Sequence, residues 1–215
     1  MKKTILTLII FSTLVSAHDM WIDTNNSVHY GHKQSTHAHG DNRVLSQEKM
    51  LSIECLENGK TTTLYKEHKC SATFFILKPV YYTKTPYGVK EKPKNETKMP
   101  ISSLLSLESI KRINSNSGLK SFNKGLELTL RNKPSEIEIG DKARLIVLFD
   151  GKPKSGVRVA NAERTIGVSD EDGHVNVRIK QKGLQNIKAS FEKAGDTIVC
   201  DKLVYETTLN FEVNE

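Results

Sequence analysis

The sequence has 215 residues and a mass of 24.2 kDa, enough for one large domain or two small ones, each burying its own core. With 37% hydrophobic and 27% charged residues and a mean hydropathy of −0.45, it excludes the disordered and collagenous classes. A formal charge of +7 raises nucleic acid or an anionic membrane as partners, and the compartment decides between them.

Lys2 and Lys3 precede an apolar run from Ile5 to Leu14. Val15-Ser16-Ala17 then supplies the small or moderate residues of a signal-peptidase site. Residues 1–17 therefore read as a removed secretory signal of bacterial kind. The run is too short to span a bilayer, and no other segment approaches the length that a transmembrane helix needs. No Cys follows the cleavage site, so no lipid anchor is expected. Export implies a periplasm or cell exterior where disulfides persist, and it removes nucleic acid as a partner. Loss of Lys2 and Lys3 lowers the formal charge to +5.

Cleavage makes His18 the first residue of the mature chain. Five of the seven histidines, His18, His29, His32, His37 and His39, fall in one short stretch with Asp19, Met20, Asp23 and Asp41. An N-terminal His offers its α-amine and its imidazole in one chelate ring. These groups titrate near ~8 and ~6.5 in model peptides, so both are open to a metal near neutral pH. His37 and His39, two apart on a strand, would share a face. The pattern points to a metal site of His18 with His32, His37 and His39, and nitrogen ligands suit nickel, cobalt, copper and zinc ions. Met20 occupies the third position, where the amine-and-third-His motif requires His, and is a candidate soft ligand. His29 reads as a satisfied strand residue, His68 and His174 as surface residues in turns, and Trp21 as a packing residue. The competing reading is a solvated polar loop.

From Met50 to Leu77 the chain reads as strands, with a hairpin signal at Asn58-Gly59. Cys55, Cys70 and Cys200 allow three single bridges. A Cys55–Cys70 bridge would close a loop of about 15 residues and contribute ~3 kcal/mol in the chain-entropy picture. If Asn58-Gly59 begins a tight three-strand meander, the two cysteines lie on its first and third strands, roughly 9–10 Å apart and too far to bridge. The bridge then requires residues 60–68 to loop out, or Cys70 to sit at a turn.

Residues 78–100 hold Pro79, Pro86, Pro93 and Pro100 among many lysines, and read as a long surface excursion with little regular structure. The lysines from Lys84 to Lys98, interleaved with Tyr81, Tyr82 and Tyr87, form a solvated loop or a dock for an acidic partner or membrane headgroups. Asn95-Glu96-Thr97 matches a glycosylation sequon that is incidental in a bacterial protein. Ile101, Leu104, Leu105, Ile110 and Ile113 follow helical spacing and predict one short amphipathic helix to about Ile113. Beyond Pro134, alternation at Leu145, Val147 and Phe149, turns at Asp150-Gly151-Lys152-Pro153 and Asp170 to Gly173, and further alternating runs to Val213 predict an antiparallel β-sandwich. The expected organisation is a signal at 1–17, a histidine-bearing β-rich portion at 18–133 that includes the 78–100 loop, and a C-terminal Ig-like or transthyretin-like sandwich at 134–215.

No nucleophile elbow, phosphate loop or dinucleotide fingerprint is present. Three elements, His18-Asp19-Met20-Trp21-Ile22, Gly31-His32, and Lys84-Thr85-Pro86-Tyr87-Gly88 leading to Lys92-Pro93-Lys94-Asn95-Glu96, resemble a bacterial periplasmic family of nickel or cobalt uptake components. Members accompany energy-coupling-factor ABC transporters. Gly140-Asp141, Leu148 to Pro153 and Asp170-Glu171-Asp172-Gly173 extend the resemblance and are similar to turns of transthyretin-like and carboxypeptidase-regulatory-like sandwiches. The resemblance implies a mainly β, non-enzymatic periplasmic protein that takes up Ni²⁺ or Co²⁺ for a membrane transporter, and it carries over His18 and His32. Two rivals remain: a copper-binding protein or copper-dependent oxidase with an N-terminal histidine brace, and an adhesion module with incidental histidines.

Overall fold

The computed structural model describes residues 19–31, 42–64, 69–161 and 164–213. The predicted signal, and His18, His32, His37, His39, Asp41 and His68, lie outside the described residues. In chain order the strands are β1 (Asp19–Ile22), β2 (Val28–Gly31), β3 (Arg43–Val44), β4 (Met50–Glu57), β5 (Lys60–Thr63), β6 (Ala72–Leu77), β7 (Val80–Thr85), β8 (Gly88–Lys90) and β9 (Ser102–Ile113). They continue with β10 (Leu126–Leu130), β11 (Lys142–Phe149), β12 (Lys152–Pro153), β13 (Arg158–Asn161), β14 (Arg164–Val168), β15 (His174–Arg178), β16 (Gly183–Ala194) and β17 (Lys202–Val213). Helical structure is confined to single 3-10 turns among the described residues. No helix there is long and apolar enough to cross a membrane.

The protein is mainly β and sandwich-like. Its large sheet has ten strands in the order β14-β13-β16-β17-β9-β6-β4-β5, with β7 and β8 beside β9. All its pairings are antiparallel except that of β9 with β17. A four-stranded sheet of β10, β11, β12 and β15 covers one face. Its core joins Leu126, Leu128, Leu145 and Val147 to Ile187, Leu209 and Phe211. On the opposite face a small sheet of β1, β2 and β3 packs Met20, Ile22 and Val28 against Met50, Phe75 and Ile110. Successive side chains of β6 serve different cores: Phe75 faces the small sheet, while Phe74 stacks on Phe122 with centroids 5.1 Å apart. The expected boundary near Pro134 falls at a 3-10 turn, Pro134–Glu136, and the large sheet draws strands from both sides of it.

Two expectations are corrected, and one alternative left open by the sequence is decided. Ser102–Ile113 is a strand, not a helix. β9 lies inside the large sheet, and its second half is covered on both faces, Ile110 in one core and Ile113 in the other, so its apolar residues do not alternate and their spacing imitates a helical stripe. Its buried polar residues find partners instead. The Lys111 ammonium, fully buried, donates to Glu127 Oε1 (2.8 Å), Thr129 Oγ1 (3.0 Å) and the Lys120 carbonyl (2.9 Å).

The second correction is the 78–100 excursion, which contains β7 and β8. β7 continues the line of β6 along β9, and Pro79 interrupts the ladder between them where its missing N–H costs least. Pro86 sits in the turn that joins β7 to β8. The open alternative is the three-strand meander, which does not form. Asn58 and Gly59, with φ of 48° and 74°, form the expected two-residue turn, yet β5 lies on the outer side of β4 and β6 pairs with β4 directly. Cys55 and Cys70 therefore sit on adjacent segments with Cα atoms 5.3 Å apart and form a disulfide, while Cys200 is a buried free thiol.

Candidate functional site

The N-terminal hairpin lies across the large sheet without joining its ladder, so the backbone of β1 needs side-chain partners. At Ile22 the amide donates to Asn210 Oδ1 (2.9 Å), and the carbonyl accepts from the Arg112 guanidinium (2.6 Å), which also binds Glu212 (3.0 Å) and Asn114 (3.0 Å). At its other end Asp19 pairs with Lys188 on β16 at 2.7 Å. β1 is thus pinned at both ends, and Met20 and Ile22 are pressed into the core between them.

The turn after β1 is ordered by Asp23. Its Oδ1 accepts the amides of Asn25 (2.8 Å) and Ser27 (2.9 Å), and its Oδ2 lies 2.9 Å from His29 Nε2. Burial pushes the Asp23 carboxyl up, but the hydrogen bonds from His29 and the two amides outweigh it and hold the pKa below the ordinary value. Trp21, the cross-strand partner of His29, stacks on the imidazole with centroids 5.2 Å apart and planes 8° from parallel. His29 is therefore a packed strand residue with Nε2 engaged, as its sequence context indicates, and Trp21 packs on it. His174, expected in a turn, is the first residue of β15.

The register of the hairpin pairs Asp19 with Gly31. These residues stand directly beside His18 and His32 in the chain. Gly31 has φ of 154°, and a Cβ there would fall on the side chain of Asn42, so the two ends of the segment carrying His32, His37 and His39 close against each other. Among the described residues no group of three or more His, Cys, Asp and Glu is placed to hold a metal ion.

Beside β1, the face of the large sheet carries charges that sequence reasoning missed. Glu108 and Glu206 are register partners on β9 and β17. Burial and then the Glu108 charge raise the pKa of Glu206, against the opposing pull of Lys188. Tyr82 on β7 is pushed up to about 12 by burial, Glu108 and Glu91. Nothing local in the sequence marks the two glutamates, since only the β9–β17 register brings them together.

Open clefts also lie among the described residues. One of about 630 Å³ is lined by Thr24, Asn26, Lys69, Cys70, Arg112 and Glu212. Another, of about 640 Å³, borders Glu54, whose Oε1 is bound by Ser52 and Lys124 while the buried Oε2 has no hydrogen-bond partner among the described residues.

Residues 15–193 match the family model described as Domain of unknown function (DUF4198). The chain belongs to the DUF4198 family. The DUF4198 match takes in the N-terminal hairpin, the histidine-bearing segment and the disulfide, and it ends within β16, before β17. No curated protein and no solved structure matches the chain.

Proposed function

We propose that this DUF4198 protein is an exported metal-binding protein that captures Ni²⁺ or Co²⁺ in the periplasm and delivers it to a membrane transporter of the energy-coupling-factor ABC type. His18 chelates through its amine and ring, and His32, His37 and His39 complete the ligand set. The observation that carries the reading is the Asp19–Gly31 cross-strand pair. One peptide unit of about 3.8 Å separates His18 from Asp19 and His32 from Gly31, so two histidine-bearing segments start from one point of the hairpin. The Asp19–Lys188 ion pair and the Ile22 hydrogen bonds supply the rigid base that a preorganised site requires.

The Cys55–Cys70 disulfide supports an oxidising compartment. Calorimetric titration of protein beginning at His18 with Ni²⁺ and Co²⁺ tests the reading. A site is expected that one extra N-terminal residue, or His18→Ala, weakens at least about tenfold, because either change breaks the chelate ring of amine and imidazole. Undiminished binding in both variants removes His18 from the site, and absence of binding by the unaltered protein removes the function.

A further inference from the structure

At the end of the large sheet where β9 begins, three turns expose apolar side chains. Tyr87, in the β7–β8 turn, is 80% exposed, Val89 on β8 57%, and Met99 and Ile101 just before β9 are 61% and 58% exposed. They are neighbours through the backbone. Val89 is the register partner of Lys84, and the amide of Ile101 donates to the Lys84 carbonyl at 2.8 Å. Ile198, 69% exposed in the β16–β17 turn, belongs to the same end, because Lys94 binds the Val199 carbonyl through its amide and Asp201 through its ammonium.

Lys84, Lys90, Lys92 and Lys98 lie in the same stretches of chain as this apolar tip, Lys84 and Lys90 on the β7–β8 ladder itself. All four are exposed, and none has a carboxylate partner among the described residues. Hydrogen bonds hold the turn that presents Tyr87: Thr85 Oγ1 donates to the Gly88 carbonyl (2.9 Å) and accepts from the Tyr87 amide (3.1 Å).

We infer that this end of the molecule docks on an anionic phospholipid surface. The apolar residues project from turns and line neither cleft. A projecting tip suits a fluid interface that yields around it, with the tyrosine ring at headgroup depth and the lysine stems lying along the boundary with their ammonium groups among phosphates. Four cations without an ion-pair partner among the described residues, set against two exposed carboxylates, Glu91 and Glu96, leave the segment net positive and complement an anionic leaflet, each cation worth about fivefold in affinity near such a surface. The inference stands apart from the metal reading, since it uses none of the histidines.

Cosedimentation with vesicles tests it, using the protein as cells produce it, its N-terminus read by mass spectrometry. The vesicles are phosphatidylcholine alone, or phosphatidylcholine with about one third phosphatidylglycerol. Binding is expected to the anionic vesicles only, weakening as salt rises. Tyr87→Ser with Val89→Ser should reduce it about tenfold, and Lys84→Glu with Lys98→Glu should abolish it. Lys142→Glu with Lys180→Glu, at the far end of the sandwich, should match only the loss in net charge and retain most of the binding. The two patch variants act independently, so misfolding of one, seen in its thermal melt, leaves the other as the readout. No preference for anionic vesicles, or a preference that both patch variants keep, overturns the inference. Binding that appears only when membrane proteins are reconstituted also overturns it and assigns the patch to an acidic protein surface.

Discussion

Lys188 on β16 reaches Asp19 at the start of β1, its Nζ 2.7 Å from the carboxylate, and ties the first described residue of the hairpin to the middle of the large sheet. Both side chains are mostly shielded from solvent, so the pair is better placed than an exposed one. Lys188→Ala should cost about 1 kcal/mol of global stability and should raise amide exchange in β1 well beyond that in β16. Uniform exchange across both strands would show that Asp19 does not anchor the hairpin.

The Lys111–Glu127 pair lies wholly inside, between β9 and β10, and burial pulls the Lys111 pKa down while Glu127 pushes it up. Glu127 also accepts the Phe122 amide and the Ser121 hydroxyl. Lys111→Met should destabilise by about 3–5 kcal/mol because it strands a buried carboxylate. Lys111→Met with Glu127→Leu should recover part of that, leaving the Phe122 amide as the residual cost. Urea unfolding of the two single variants and the double variant measures the coupling.

Removing the Cys55–Cys70 bridge frees a loop with a sequence separation of 15. Cys55→Ser with Cys70→Ser should lower stability by ~3 kcal/mol and Tm by about 6–12 °C. Reductant should shift the unaltered protein toward the variant and leave the variant unmoved in calorimetry.

The fold keeps the Glu206 proton more tightly than the unfolded chain, whose ordinary value is 4.5. Its contribution to stability is therefore present below that pH and lost as pH rises through the higher folded value. Glu206→Gln, which stays neutral, should raise Tm by about 2–4 °C at pH 7. Below about pH 4 the variant and the unaltered protein should melt together. A gain that persists in acid would assign the effect to packing.

Local chemistry was legible in the sequence wherever one short segment carries all of it. Asn58-Gly59 and Asp150-Gly151 dictate left-handed backbone and form the turns expected of them. The alternation of Leu145, Val147 and Phe149 reports a strand facing one core. Ser102–Ile113 misleads because burial on both faces of its second half erases alternation, and Lys111 and Arg112 are buried there against carboxylates from elsewhere in the chain. His29 was recognisable as a strand residue, whereas Lys188 beside Asp19 depends on how β1 crosses β16, which no spacing records.

The placement of β17 has a consequence for how the molecule is made. This last described strand lies inside the large sheet, between β16 and β9, and its ten-residue parallel register with β9 joins segments far apart in the chain. Until it arrives, β9 presents an open edge and the two parts of the large sheet stay separate. Such non-local closure is slow. The large sheet is therefore complete only once β17 has been delivered, and the docking of that strand between β16 and β9 is the step that commits the two parts of the sheet to one folded unit.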